Sequence, residues 1–245
     1  MNKTSDYQFT IIVPFYNEED NAQTLEKHLS AYLPKCDKSP ACVLFINDGS
    51  TDASEEIIKE ICSRHKDFFY IGFEKNAGLS AALKAGFDYC QSPYLGYIDA
   101  DLQTDVDDFN LLLHDIEQYD MVIGIRAKRQ DSFVKKASSR FANSFRRAFT
   151  HDGVSDTGCP LKVMHSSLAK KFPMFTGLHR FLPAMAQMVG GTVKQIEVRH
   201  YPRTAGSSKY HLFNRLIGPL GDCFGYRWMA KRYIDYTIKD TTLNG

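Results

Sequence analysis

An α/β fold, with a mainly parallel sheet covered by helices on both faces, is what this sequence predicts, and two observations carry that expectation. Short β-branched apolar runs alternate with helix-length amphipathic stretches through the first half of the chain. The first two runs lack polar alternation, as strands buried on both faces do. With 245 residues the chain can form one large domain, or a domain with an appendage, and bury a sizeable core.

In order, Phe9-Thr10-Ile11-Ile12-Val13 is a strand closed by Pro14, and Cys42-Val43-Leu44-Phe45-Ile46 a second closed by Asn47-Asp48-Gly49-Ser50. Glu18 to Leu33 reads as the helix between them. Ser50 or Asp52 is placed to cap the next helix, which carries Ile57, Ile58 and Ile61 on one face. The third strand is Phe68 to Phe73. Through Asn76-Ala77-Gly78 it leads into Leu79, Ala82, Leu83, Gly86, Phe87 and Cys90, at helical spacing. A strand from Tyr94 to Asp99, a helix from Asp105 to Gln118 and the strand Met121 to Gly124 complete the alternation.

The stretch Tyr97-Ile98-Asp99-Ala100-Asp101-Leu102-Gln103 then ends a strand in two carboxylates and an amide at alternate positions. Open α/β sheets bind ligands at the carboxyl ends of their strands. Hard oxygen donors two residues apart suit a divalent cation that also holds nucleotide phosphates, whereas solvated acids at a strand end are the plainer reading.

Composition narrows the classes. The 30 Lys+Arg and 29 Asp+Glu nearly balance, which gives no signal for nucleic acid, so charge arguments are local. Six cysteines without a CxxC pair read as reduced thiols of a cytosolic protein. The start Met1-Asn2-Lys3-Thr4-Ser5-Asp6 lacks the apolar core of a signal peptide, and no stretch approaches the roughly 18 apolar residues of a membrane span.

Beyond Gly124 the character changes. Arg126 to Arg147 holds eight Lys/Arg against Asp131 alone, either a solvated basic helix or an anion site beside a strand end. Asp156-Thr157-Gly158-Cys159-Pro160 is a polar turn before the apolar Leu161 to Met164. A helix over Phe181 to Val189 and a strand over Val193 to Val198 follow. From Lys209 to Asp240, aromatic and aliphatic residues interleave with six Lys/Arg and three Asp, and Gly218-Pro219 and Gly221 are expected to split this tail into two short helices. Such a segment either lies in a membrane interface or packs on the domain.

Three segments in this order and spacing, Val13-Pro14-Phe15-Tyr16-Asn17-Glu18, Asn47-Asp48-Gly49-Ser50-Thr51-Asp52 and Asp99-Ala100-Asp101-Leu102-Gln103, resemble the family 2 glycosyltransferases of the Rossmann-like GT-A fold. Asp156-Thr157-Gly158-Cys159 and Arg203-Thr204-Ala205-Gly206-Ser207-Ser208-Lys209-Tyr210 narrow the likeness to the branch of dolichyl-phosphate mannosyltransferase and the undecaprenyl-phosphate sugar transferases. It covers roughly residues 8 to 215. The resemblance implies a catalytic domain over 1–208 and a membrane-proximal tail over 209–245. It also implies a UDP- or GDP-sugar donor, Mg²⁺ or Mn²⁺, inversion at the anomeric carbon, and a polyprenyl phosphate acceptor at the cytoplasmic membrane face.

By the same resemblance Pro14, Tyr16, Asn17, Glu18 and Asp48 would contact base and ribose, and Asp99, Asp101 and Gln103 the metal, with Asp99 also near the ribose. Arg126 and Arg129, with Ser139 and Arg140, would hold the acceptor phosphate. Asp156 would be an active-site acid, its plainer role being to cap the turn at Gly158. Arg203, Ser208 and Lys209 would form a second phosphate clamp. Members of the branch often carry membrane spans after the catalytic domain, so a separate membrane subunit is the alternative to attachment through the tail. Two other readings stay open: transfer to a glycan hydroxyl in cell-surface polysaccharide assembly, and a non-catalytic nucleotide-binding protein that docks on membranes.

Overall fold

The computed structural model describes residues 3–126, 146–201, 217–234, 236 and 239–240, with the backbone alone described over 217–220. Seven strands form one sheet in the order β3-β2-β1-β4-β6-β5-β7. They are β1 (Phe9–Phe15), β2 (Ala41–Asn47), β3 (Phe68–Gly72), β4 (Tyr94–Tyr97), β5 (Met121–Arg126), β6 (Lys162–His165) and β7 (Val193–Val198). The pairs β1·β2, β1·β4, β2·β3 and β5·β7 are parallel. β6 is antiparallel to both β4 and β5, so the sheet is mixed at its centre.

The helices are α1 (Glu19–Tyr32), α2 (Ser54–Arg64), α3 (Leu79–Tyr89), α4 (Phe109–Leu113), α5 (described over 146–150), α6 (Ser166–Ala169), α7 (Leu182–Met188) and α8 (Ile217–Ala230). Strand alternation divides them between two cores. Phe9, Ile11, Val13 and Phe15 of β1 join Val43 and Phe45 of β2 under α1, α2 and α4, whereas Ile12, Leu44 and Ile46 face α3, α7 and α8. Each such fully buried side chain contributes about 1.5–3 kcal/mol of burial.

Several boundaries differ from expectation for local reasons. β4 stops at Tyr97, although the Ile98 amide still reaches Ile12 O at 3.2 Å, and Asp99 lies in the turn beyond. The helix expected over 105–118 is a 3-10 turn, Val106–Asp108, followed by the short α4. Asp105 Oδ1 caps the turn through the Asp107 amide at 3.0 Å. Neither Ser50 nor Asp52 stands at the cap of α2, which is Ala53; Asp52 accepts the Ser54 amide from the turn before it at 3.0 Å, and Ser50 donates to Asn47 Oδ1 at 2.6 Å. β3 is an edge strand with Tyr70 42% exposed, so it is not covered on both faces. Gly218-Pro219 and Gly221 do not split the tail: all three lie inside the single helix α8. No helix among the described residues is long and apolar enough to cross a membrane.

Candidate active site

The loops leaving β1 and β2 are laced together. Asn17, at φ 51°, donates from Nδ2 to Thr51 Oγ1 at 3.1 Å and accepts the Thr51 amide at 2.7 Å. Its own amide donates to Ser50 Oγ at 3.0 Å, and the Glu18 amide to Ser54 Oγ at 3.0 Å. Glu18 Oε2 accepts from Asn21 at 2.7 Å, and Glu19 Oε2 accepts the Ala53 amide at 2.9 Å. Asparagine tolerates the left-handed conformation better than most residues and bonds backbone from it. The structure thus gives Asn17 and Glu18 structural partners, with Pro14 and Tyr16 half-buried beside them.

Asp48 lies 4% exposed at the end of β2. Its Oδ1 accepts the Ala77 amide at 2.7 Å, and its Oδ2 accepts the Gly78 amide at 2.8 Å and Asn76 Nδ2 at 3.0 Å. Burial pushes its carboxyl up, and the two amides pull it back. Three acceptor sites are therefore engaged in holding the loop into α3. Gly49, at φ +64°, completes this joint: a Cβ there would sit 2.4 Å from the Lys75 carbonyl carbon, so only glycine lets the two loops touch.

Beyond β4, Asp99 Oδ1 accepts from the Tyr97 hydroxyl at 2.5 Å, and Asp101 Oδ1 accepts the Gln103 amide at 3.1 Å across Leu102, at φ 58°. Burial pushes the Asp99 carboxyl up to about 6, with the Asp101 charge adding to the rise, while Tyr97, Lys162 and Arg126 oppose it. Gln103 is held from behind: its carbonyl accepts the Tyr201 amide at 2.8 Å, and its Nε2 donates to Tyr201 O at 3.5 Å. Arg199 bridges Asp105 at 2.9 Å and Asp108 at 2.6 Å, which ties the chain after β7 to the loop after Gln103.

Arg126, the last residue of β5, grips Asp156 through Nε and Nη2, both at 2.7 Å. Asp156 also accepts the Arg126 amide at 3.3 Å. This fork-on-carboxylate pair joins two residues that the sequence places on separate substrate groups. Arg146, counted in the basic run, is neither solvated nor an anion ligand. It is 6% exposed and ion-paired with Asp152. Arg129, Ser139, Arg140, Arg203, Ser208 and Lys209 lie outside the described residues.

Two features escaped the sequence reading. Lys162, 2% exposed and opposite Tyr97 across the β4·β6 ladder, donates to the carbonyls of Cys159 and Thr157, the latter at 3.4 Å, with its ammonium 5.5 Å from the Tyr97 ring centre. A lysine inside the apolar run Leu161 to Met164 was the available signal. Ser80 Oγ accepts the amides of Gly177 at 3.1 Å and His179 at 3.4 Å, and so donates its proton to His179 Nδ1 at 2.8 Å. That fixes the neutral imidazole with its proton on Nε2. Burial, with Arg180 and Lys162, pushes His179 down to about 3.

The donor set fits a hard divalent cation. Asp99 and Asp101, the former raised by burial and by its neighbour, and the Gln103 amide offer oxygen donors, and a cation bound there would relieve both the burial and the repulsion. Among the described residues no group of three or more His, Cys, Asp or Glu could hold a metal, so Gln103 would be needed as the third ligand.

The model of Glycosyl transferase family 2 matches residues 10–174, which spans every one of these strand ends except that of β7. The chain belongs to glycosyl transferase family 2. Within the family it is 32% identical over 215 residues to an undecaprenyl-phosphate 4-deoxy-4-formamido-L-arabinose transferase of Edwardsiella ictaluri, covering 87% of this chain and 66% of that one. It is 28% identical to a dodecaprenyl-phosphate galacturonate synthase of Rhizobium johnstonii, covering 91% and 69%. The chain thus spans just under two thirds of the arabinose transferase's length. Among solved family-like folds, glucosyl-3-phosphoglycerate synthase of Mycobacterium tuberculosis, in complex with Mn²⁺, UDP and glucosyl-3-phosphoglycerate, superposes with TM-score 0.67 at 13% identity, covering 95% of this chain and 82% of that one. A mannosyltransferase of Pyrobaculum calidifontis in complex with GDP-mannose and Mn²⁺ gives 0.58 at 15% identity, covering 94% and 76%. These likenesses establish the GT-A fold.

Proposed function

We propose that this chain is the catalytic part of an inverting glycosyltransferase that moves a sugar from a UDP- or GDP-sugar to a polyprenyl phosphate at the cytoplasmic membrane face. The observation that carries the reading is the gathering of Asp48, Asp99, Asp101 and the Arg126·Asp156 pair at the carboxyl ends of β2, β4 and β5. The relatives' names, with undecaprenyl and dodecaprenyl phosphate in them, support the acceptor class. The Mn²⁺ complexes of UDP and GDP-mannose in fold neighbours support the donor class.

In this reading Asp99, Asp101 and Gln103 would hold Mg²⁺ or Mn²⁺. When bound, the cation neutralises the donor diphosphate and the charge that builds on it as leaving group. Asp48 fixes the loop into α3, and Pro14 to Glu18 with Asp48 line the nucleoside side. Lys162, whose burial pushes its ammonium pKa down, acts electrostatically on Asp99. Arg126, oriented by Asp156, turns its guanidinium to the acceptor phosphate, with Arg129, Ser139 and Arg140 assisting; Arg203, Ser208 and Lys209 clamp the donor diphosphate. The nucleophile is a phosphate oxygen already ionised near neutrality, its second pKa being about 6, so Asp156 orients and need not act as a strong base.

Incubation of the purified protein with a panel of nucleotide sugars, Mg²⁺ or Mn²⁺, and undecaprenyl or dolichyl phosphate tests this. A lipid-linked sugar from one donor is expected, and the same donor should raise the melting temperature when the cation is present. No lipid-linked product from any donor overturns the reading.

A further inference from the structure

The Ser80·His179 joint is more closely specified than packing alone requires. Ser80, 6% exposed in the first turn of α3, uses its one oxygen three times: it accepts the amides of Gly177 and His179 and donates its only proton to His179 Nδ1 at 2.8 Å. α3 itself follows Gly78, whose amide Asp48 holds at 2.8 Å. The imidazole is thus tied, through two residues of backbone, to the carboxylate at the end of β2.

The opposite edge of the ring is left over. With Nδ1 accepting, the single ring proton sits on Nε2, and Nε2 has no hydrogen-bond partner among the described residues. His179 is half-buried and its Nε2 is not sealed in the interior, so the N–H faces a place that water or a ligand can reach. The two amides alone would pin the turn Leu178–Phe181 to α3. Fixing which ring nitrogen carries the proton matters only when that proton is offered to something.

Burial and two cations, Arg180 and Lys162, hold the ring neutral across the physiological range. Lys162 acts on Asp99 as well, so His179 and the Asp99–Asp101 stretch gather around one lysine. A phosphate is bound more strongly by a charged donor, whereas a donor barred from protonation suits an uncharged oxygen. We propose that His179 Nε2–H donates to a hydroxyl of the donor's sugar, on the α3 side of the strand ends, and so helps to select the sugar transferred, with Ser80 as the positioning residue. This rests on the donor half of the function proposed above and is independent of the acceptor.

Binding of UDP, GDP, UDP-glucose, UDP-galacturonate and GDP-mannose to the intact protein is to be measured by calorimetry with Mn²⁺ and without acceptor. His179→Leu should leave the affinity for the free diphosphate unchanged and lower that for the sugar nucleotide roughly tenfold, as the loss of one hydrogen bond does. His179→Gln, whose carboxamide can accept from Ser80 and donate outward, should recover most of that loss. In a series of monodeoxy donors, one position should cost the wild type roughly tenfold and His179→Leu nothing further. Without any substitution, the Nε2 resonance of His179 in isotope-labelled protein should move with the sugar nucleotide and stay in place with the diphosphate.

Equal loss of diphosphate and sugar-nucleotide affinity in His179→Leu overturns the proposal in favour of a phosphate contact or a structural joint, and so does an unchanged affinity for both. A monodeoxy series in which no position couples to His179 overturns it as well. Donor binding that answers to His179 in a protein that makes no lipid-linked sugar would keep the sugar contact and remove the polyprenyl acceptor. Lipid-linked product made by His179→Leu at the wild-type rate and with the wild-type choice of sugar would do the reverse.

Discussion

The two halves of the sheet handle polar residues at their strand ends differently. On the β3-β2-β1 side, Asn17, Asp48, Ser50 and Asp52 spend their bonds on backbone amides and hydroxyls of neighbouring loops. On the β6-β5-β7 side the groups are charges meeting charges or carbonyls: Arg126 with Asp156, Arg199 with Asp105 and Asp108, and Lys162 on Cys159 O and Thr157 O. β4 lies at the seam, with Asp99 and Asp101. Neutral and amide bonds build a fixed rim for a ligand to lie against, whereas paired charges can be exchanged for those of a ligand.

If that division holds, the largest effect falls at the seam. Asp101→Ala should lower sugar transfer by roughly 100-fold or more, because a cation contributes several kcal/mol to leaving-group stabilisation. Circular dichroism should show the fold intact; a transfer rate near wild type would remove the seam from the chemistry. Next comes pH. The folded Asp99 carboxyl, raised to about 6, holds its proton where the unfolded chain, near 3.8, has lost it. Stability should therefore fall as pH rises between about 4 and about 6. Asp99→Asn should flatten that window in denaturant titrations, and a parallel slope in the variant would contradict the assignment.

Asp48→Asn tests the rim. It places an amide NH₂ where backbone donors converge and should cost about 2–3 kcal/mol in denaturant unfolding. Loss of nucleotide affinity with unchanged stability would instead make Asp48 a ligand contact before a structural one. The smallest effect is at Asn17. Asn17→Ala should be about 1 kcal/mol less stable than Asn17→Gly, since alanine adds left-handed strain to the bonds both variants lose; equal stabilities would show that the φ of 51° carries no cost.

The parallel half was legible because its cause is local: β-branched runs, helical spacing and Gly/Pro/Asp punctuation lie within each segment. β6 was not, because its direction depends on pairing Lys162 with Tyr97, far away in sequence. The helix over 105–118 misled for the same reason: the apolar spacing suits a helix, but Asp105 and Asp108 answer to Arg199, and Asp105 caps a 3-10 turn. At the site, residue types and order pointed to Asp48, Asp99, Asp101 and Gln103, but composition cannot say which acceptors are already engaged. Arg146 shows the limit of charge counting, since one member of a basic run is buried against Asp152. Ser80 and His179 form a joint that no spacing in the chain announces.

The lacing of the loops also has a kinetic face. The amides of Thr51, Ala77 and Gly78 belong to loops, yet each is closed by a side chain rooted in another loop. Their hydrogens should exchange with solvent only when two loops part together, on the timescale of opening the strands β1 and β2 rather than that of surface turns. Deuterium uptake along this rim would then read out the cooperativity of the parallel half, residue by residue, in segments where slow exchange is not ordinarily sought.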